Sequence, residues 1–440
     1  MALKFHIETF GCQMNKSDSE AMALSLIRSG FTEAGSEDDA DIVVYNTCSV
    51  REHAENRALS RFRAAKRQVS AKGGIAVLAG CMAQRIGSGL VARGVADLVV
   101  GPYQSPVIGE IVREFLKGRG SALFLSQETD DFAPRIDPGL ASIRGAFPWH
   151  KWVTITHGCE NNCTYCIVPS VRGRLISFPS KTILDYLDDL ENEGITEVTL
   201  LGQNVNQYGT DSGDIPFARL LEKTAGHEGF QRVNFITSHP KDFSDDIIRV
   251  IKDHENISRA IHLPLQSGSD PVLAAMNRQY TMGHYMAVVD KINALIPDHS
   301  LSTDLIVGFP GETADDFRRT LDAVRTIRFD SAFTYAYSPR QGTPACSLDD
   351  SLDHEKKIIR LEELIAVQRE IGREKLEARI ARTEEAIVER ISKKSAHKVM
   401  AKTFLDHPVI LPGTADDLGK KITVRIESIN GTSLLASRVN

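Results

Sequence analysis

The sequence predicts an α/β multidomain chain with three parts: an N-terminal doubly wound parallel sheet, a central partial (β/α)6 barrel and a C-terminal small β-barrel. Three observations carry that reading. Short β-branched runs alternate with helical stretches from the first residues, the pattern of a parallel sheet. Six more strand–helix units follow over about 200 residues, too many for a small open sheet and short of a closed eightfold barrel. From residue 378 the helical period gives way to five short strand-like runs, enough for a barrel of OB-like size.

Residues 1–118 hold the first series. "KFHIETF" precedes a helix from about Ser17, which Ser17 or Asp18 can cap and Gly30 can stop. "DIVVYNT", "GIAVLAG" and "ADLVVG" follow as strands, with "REHAENRALSRFRAAKRQ" as a helix after the first of them. Residues 119–144 have little periodicity and read as a linker. Residues 145–377 form the barrel, with strands at "WVTITHG", "EVTLLGQ", "RVNFITS", "AIHLPLQ", "STDLIVGF" and "AFTYAYSP". Its last part, residues 352–376, reads as one long amphipathic helix with Ile358, Leu361, Ile365 and Leu376 near one stripe. Residues 378–440 carry the strand runs "AIVERIS", "KVMAKTF", "HPVILPG", "KKITVRIESI" and "SLLASRV".

The chain has 440 residues, 42% apolar and 25% charged, the balance of a soluble globular protein. Its start lacks a secretory leader and no run reaches the length of a membrane helix, so the cytoplasm is the expected compartment and no membrane contact is expected. Seven cysteines, an odd and clustered set, point to metal or redox chemistry rather than disulfides. A net charge of −6 excludes a chain that attracts nucleic acid over its whole surface. The charge is uneven: residues 371–440 carry 13 Lys and Arg against 9 Asp and Glu, a net +4 that leaves −10 on residues 1–370. A basic tail on an acidic body fits a polyanionic partner, and fits a solvated surface equally.

The chemistry lies in the cysteines. Cys159, Cys163 and Cys166 form C-x3-C-x2-C just after the first barrel strand, at the end where barrel active sites lie. No fourth cysteine or histidine follows within twenty residues. Two readings fit: three irons of a 4Fe–4S cluster with the fourth iron open, or a zinc whose fourth ligand comes from elsewhere. Cys12, Cys48 and Cys81 each end a strand of the N-terminal sheet, 36 and 33 residues apart. Parallel strands place their carboxyl ends along one edge, where such folds bind ligands. The three either converge on a second cluster with an open iron or are small residues in three tight bends.

The cysteine loop and the partial barrel around it resemble the radical S-adenosylmethionine (SAM) enzymes. Two three-cysteine sets followed by a small β-barrel are similar to the methylthiotransferase family, over the whole chain. "ETFGCQMNKSDSE", "NTCSVRE", "GCMAQR", "LLGQNVNQYG", "TSHP", "HLPLQSGSD" and "DLIVGFPGET" resemble its tRNA branch, which methylthiolates isopentenylated adenosine beside the anticodon. The sister branches act on threonylcarbamoyl adenosine or on a ribosomal protein aspartate. The resemblance implies an N-terminal methylthiotransferase domain, a radical SAM core and a C-terminal TRAM domain. It implies two 4Fe–4S clusters, with SAM chelating the open iron of the one on Cys159, Cys163 and Cys166. One SAM would methylate sulfur held at the second cluster, on Cys12, Cys48 and Cys81. Another would yield the deoxyadenosyl radical that takes the hydrogen from carbon 2 of the adenine.

Further residues follow from the resemblance. Tyr165 looks like the aromatic that packs on the adenine of SAM. Gln203 and Asn204 would meet its amino group, and Ser238 and Gln266 its ribose or carboxylate. Gly308 and Gly311 would let backbone approach its adenine. Each is also a plausible turn or packing residue. The tRNA partner, met at its anticodon stem-loop, would contact Lys393, Lys394, Lys398 and Lys402 of the basic barrel, with Arg172 and Arg174 beside the cluster loop; these could equally be solvated charges. An electron donor and a sulfur donor are implied but unidentified, and a monomer is expected. Leu175 and Phe178 depart from the family, which often has an acidic residue and an arginine there. Glu160 in the cluster loop is a further departure, and Cys346 matches no ligand position. A structural-zinc protein that binds RNA without catalysis is the competing class.

Overall fold

The computed structural model describes residues 2–49, 52–118, 122–125, 134–145, 147–350, 352–395 and 397–439. Residues 119–121 and 126–133 of the expected linker lie outside these. In the N-terminal part six parallel strands lie in the order Thr32–Glu33, Lys4–Thr9, Ile42–Thr47, Ile75–Gly80, Leu98–Val100 and Leu123–Phe124. The four strands legible in the sequence are its centre. The two edge strands have two residues each, too few to show a period, and Leu123–Phe124 comes from the stretch that reads as linker. Ile42–Thr47 is buried along its whole length, because helices cover both faces of the sheet. Val43, Tyr45 and Leu78 pack on one face with Phe62, while Ile42, Val44 and Val77 pack on the other with Leu26.

The first helix is Gln13–Arg28, so it starts earlier than Ser17 and has Cys12 at its N-cap position. Neither Ser17 nor Asp18 caps it. Both reach the barrel instead: Ser17 Oγ lies 2.9 Å from Thr154 Oγ1, and Asp18 accepts from Arg172 at 2.5 Å. Tertiary partners outbid the local capping preference.

The six barrel strands are His150–Thr154, Glu197–Leu201, Arg232–Phe235, Ala260–His262, Ser300–Val307 and Ser331–Ala336. They form two parallel groups of three, joined by a bridge between Val233 and Ile257. Val153, Val198, Val233, Leu301 and Leu305 pack under the helices in the largest core. The opposite parity, with Thr199, Asn234, His262, Ser302 and Asp304, is polar and faces the barrel interior.

Six strands leave the barrel open on one side, and the N-terminal part closes it. Gln13–Arg28 lies along the first strand, with Lys16 4.4 Å over the Trp152 ring and Glu20 paired to Lys151 at 2.8 Å. Beyond the last strand, Arg340 pairs with Glu55 at 3.0 Å. The long helix is His354–Glu377; of the expected stripe, Leu361 packs against the main core and Leu376 against the C-terminal barrel, while the fully buried positions are Lys357, Leu364, Gln368 and Ile371. Two polar residues sit there because each has a partner: Lys357 pairs with Asp350 at 2.5 Å, and Gln368 donates to Phe329 O at 2.8 Å.

The five C-terminal runs close into a barrel, in the order Thr383–Ile391, Lys398–Thr403, Pro408–Pro412, Ser433–Arg438 and Lys421–Asn430. Residues 404–407 plug the amino-terminal end of the central barrel. Phe404 O accepts from Arg259 N (3.1 Å) and Ser258 Oγ (2.9 Å), and Leu405 O accepts from Ser300 Oγ (2.7 Å). Arg232 donates to Lys402 O and Thr403 O at 3.1 and 3.2 Å. Among the described residues no helix is long and apolar enough to cross a membrane.

Candidate active site

The loop with Cys159, Cys163 and Cys166 leaves the first strand at Gly158, whose φ is +68°. A Cβ there would lie 1.9 Å from Arg174 O, so only glycine lets the two backbone segments meet. Gln203, just past the second strand, accepts from Gly158 N at 3.0 Å and holds the same corner. Across the loop, residues 276–279 act as a clamp. Met276 O accepts from Thr164 N (3.0 Å), Asn277 Nδ2 donates to Asn162 O (2.9 Å) and Gln279 Nε2 to Asn161 O (3.0 Å). Arg278, buried, directs its guanidinium to Cys163 Sγ (3.3 Å), Tyr165 OH (3.4 Å) and Pro264 O (3.1 Å). Sequence reasoning missed this clamp, since a short polar run after a six-residue helix has neither period nor ligand spacing. Burial pushes the Cys159 thiol up, and pushes Cys166 up to about 12 with help from the Cys163 charge. Such thiols ionise when a metal takes the place of the proton.

The second set forms at the carboxyl edge of the sheet. Cys12 holds the N-cap position of Gln13–Arg28, Cys48 follows Ile42–Thr47, and Cys81 opens the helix Cys81–Ala92. A Cβ on Gly11 would lie 2.5 Å from the Cys48 Cβ. A hydrogen bond from Cys48 lowers Cys12 to about 6; burial opposes this, and the Arg172 charge adds to it. As a thiol, Cys12 donates to Asn15 Oδ1 at 3.4 Å. Cys81 is buried, which raises its thiol, while Arg172 Nε donates to its sulfur at 3.2 Å and pulls the other way. Among the described residues no three thiols, imidazoles or carboxylates are arranged around a single metal ion. A cubane places each protein thiolate on a different iron, so a set of three suits a cluster better than one ion.

Arg172 overturns an expectation. It is 2% exposed, so it meets no phosphate; its charge is matched by Asp18 at 2.5 Å. His157, 3.4 Å from the same guanidinium, is held down to about 3 by burial first and by that charge second. Arg174 is exposed, as are Lys393, Lys394 and Lys398 on the C-terminal barrel. Lys402 is half-buried and paired with Asp406 at 2.6 Å. Leu175 and Phe178 are core residues, Glu160 is exposed and Cys346 is an exposed free thiol.

The expected SAM contacts lie on the strand-end loops. Tyr165 packs with Val272, Met276, Phe309 and Tyr337. Asn204 is tied to Asp242 (2.8 Å), linking the second and third loops. Ser238 is buried, and its Oγ has no hydrogen-bond partner among the described residues. Gln266 sits at φ +70°, its N–H on Asp304 O at 2.8 Å. Gly308 and Gly311 both have positive φ. A Cβ on Gly308 would lie 2.5 Å from Lys357 Cγ, whereas the space beside Gly311 is open.

Residues 4–101 match the family described as "Uncharacterized protein family UPF0004", and residues 153–324 match the Radical SAM superfamily. The chain is 39% identical to a tRNA-2-methylthio-N(6)-dimethylallyladenosine synthase of Thermoanaerobacter pseudethanolicus, covering 96% of this chain and 90% of that protein. It is 39% identical to the protein of the same name from Clostridium botulinum, covering 99% and 97%. Among solved structures it resembles the radical S-adenosylmethionine methyltransferase TsrM from Kitasatospora setae, with a TM-score of 0.61 at 12% identity over 79% of this chain and 75% of that one. At that identity the likeness is one of fold.

Proposed function

The chain belongs to the tRNA-2-methylthio-N(6)-dimethylallyladenosine synthase family of radical SAM enzymes, and from that premise we propose that it transfers a methylthio group to carbon 2 of isopentenylated adenosine 37 in tRNA. The observation that carries the reading is that one short segment ties the two three-cysteine sets: Arg172 bonds Cys81 of the second set at 3.2 Å, and the adjoining Gly173 O accepts from Cys159 N of the first at 3.2 Å. The donor sets fit two 4Fe–4S clusters. Each offers three thiols and one buried arginine at sulfur, Arg278 at Cys163 and Arg172 at Cys81. Clusters and two SAM molecules bound there would supply the electron, the radical, the methyl group and the sulfur. The carbon 2 hydrogen is not acidic, so proton transfer to a protein base cannot open that bond.

The chain's own residues position and shield. Gly158, Gln203 and residues 276–279 fix the first cysteine loop. The helix Gln13–Arg28 closes the side of the barrel, and residues 404–407 close its floor, which keeps water from a reactive interior. Tyr165, Gln203, Asn204, Ser238, Gln266, Gly308 and Gly311 are the proposed SAM contacts. Lys393, Lys394, Lys398 and Arg174 are the proposed phosphate contacts, with Lys402 partly spent on Asp406. The target base would leave the stack of the single-stranded anticodon loop to enter the barrel. The enzyme works as a cytoplasmic monomer with separate electron and sulfur donors.

Nucleoside mass spectrometry tests this. The reconstituted protein, given SAM, a strong reductant and isopentenylated tRNA lacking the methylthio group, should add one methylthio group to isopentenyladenosine. Cys163→Ala and Cys48→Ala should each abolish the gain. Release of deoxyadenosine with no change in the nucleoside would move the target to a sister-branch substrate.

A further inference from the structure

We infer that Arg172 is a positioning residue that ties the Cys12/Cys48/Cys81 set to the first cysteine loop and sets the reduction potential of the cluster held there. The inference rests on the reading that this set holds a cluster. Its main chain belongs to the first loop: the adjoining Gly173 O accepts from Cys159 N at 3.2 Å, and a Cβ on Gly158 would lie 2.6 Å from Arg172 O. Tyr103, of the N-terminal part, donates its hydroxyl to that same Arg172 O. Its side chain belongs to the second set, with Nε on Cys81 Sγ at 3.2 Å and the far nitrogen on Asp18 at 2.5 Å. One residue therefore joins the two parts from both its ends, and Arg172, Asp18, Cys81 and Tyr103 are all buried.

The physics of the contact fixes a sign. A cluster gains negative charge when reduced. A guanidinium donating to one of its thiolates, in a low-dielectric setting, stabilises the reduced form and raises the potential. Asp18 partly cancels that cation. Removing the donor lowers the potential, and neutralising Asp18 raises it. A residue that only filled space would give neither pattern.

The test uses full-length protein in which Cys159→Ala, Cys163→Ala and Cys166→Ala leave only the second set, reconstituted with iron and sulfide and titrated by EPR-monitored potentiometry. Adding Arg172→Met should change the reduced-to-oxidised ratio at fixed potential at least tenfold, a fall of about 59 mV for a one-electron couple. Arg172→Lys, which keeps the charge, should fall less. Asp18→Asn, nearly isosteric and so least prone to misfolding, should shift the midpoint the opposite way. Unchanged midpoints, or shifts of Arg172→Met and Asp18→Asn in one direction, would overturn the inference while leaving the two-cluster reading intact. A parent protein that binds no cluster at all would overturn that reading and the inference with it.

Discussion

Two guanidiniums and one lowered thiol give the site its character at the scale of single residues. Arg278 brings a charge-assisted donor to Cys163 Sγ and Pro264 O from a buried position. Arg278→Met removes it and should cost about 1–3 kcal/mol, read as a lower urea midpoint of the cluster-free protein. Cys12 and Cys166 differ in the opposite sense. Cys12, lowered to about 6, is mostly thiolate at neutral pH, while Cys166, pushed up to about 12, stays protonated. The thiolate is the nucleophile, so alkylation of Cys12 by iodoacetamide in cluster-free protein should rise to about pH 6 and then level. Labelling of Cys166 should still be climbing at the alkaline end. Peptide mass spectrometry across pH reads both, and parallel profiles would contradict the assignment.

Elements bring these residues together through close backbone approaches. Gly158→Ala adds a Cβ 1.9 Å from Arg174 O at a φ of +68°. The left-handed strain alone costs about 1–2 kcal/mol, and the carbonyl it would strike is main chain rather than a flexible side-chain end. Iron bound by the first set should fall, while that bound by the Cys12/Cys48/Cys81 set is kept; equal loss at both would show general misfolding. How much of this was legible follows from where the information lies. The long apolar strands such as "DIVVYNT" and "STDLIVGF" were plain, because burial on a parallel sheet demands a continuous or regular apolar run. Strands of two residues, such as Thr32–Glu33, have no pattern to read. The start of Gln13–Arg28 was misplaced because Ser17 and Asp18 are good caps locally and found partners on the barrel instead. Arg172 looked like a surface cation since nothing local says that Asp18, 154 positions away in sequence, will meet it. Cysteine spacing carries the ligand sets, whereas the arginines that face them come from the tertiary fold.

Across the whole molecule, a six-stranded barrel is finished by its two neighbours. The N-terminal part spans from Lys151 and Trp152 on the first strand to Arg340 beyond the last, and the C-terminal barrel plugs the floor. Lys393, Lys394 and Lys398 of the C-terminal barrel stay exposed, and they are the proposed phosphate contacts. Lys393→Glu with Lys394→Glu should weaken tRNA binding and flatten its salt dependence by about 0.7–0.9 per lost phosphate contact, with iron content unchanged. Binding that keeps its salt slope would place the RNA elsewhere. Whether both cysteine sets hold clusters in one catalytic unit is read from iron and labile-sulfide analysis of anaerobically reconstituted protein. The expected result is about eight irons per chain, about four when Cys12, Cys48 and Cys81 are all Ala, and about four when Cys159, Cys163 and Cys166 are all Ala. A chain with about four irons that loses none with Cys12, Cys48 and Cys81 would contradict it.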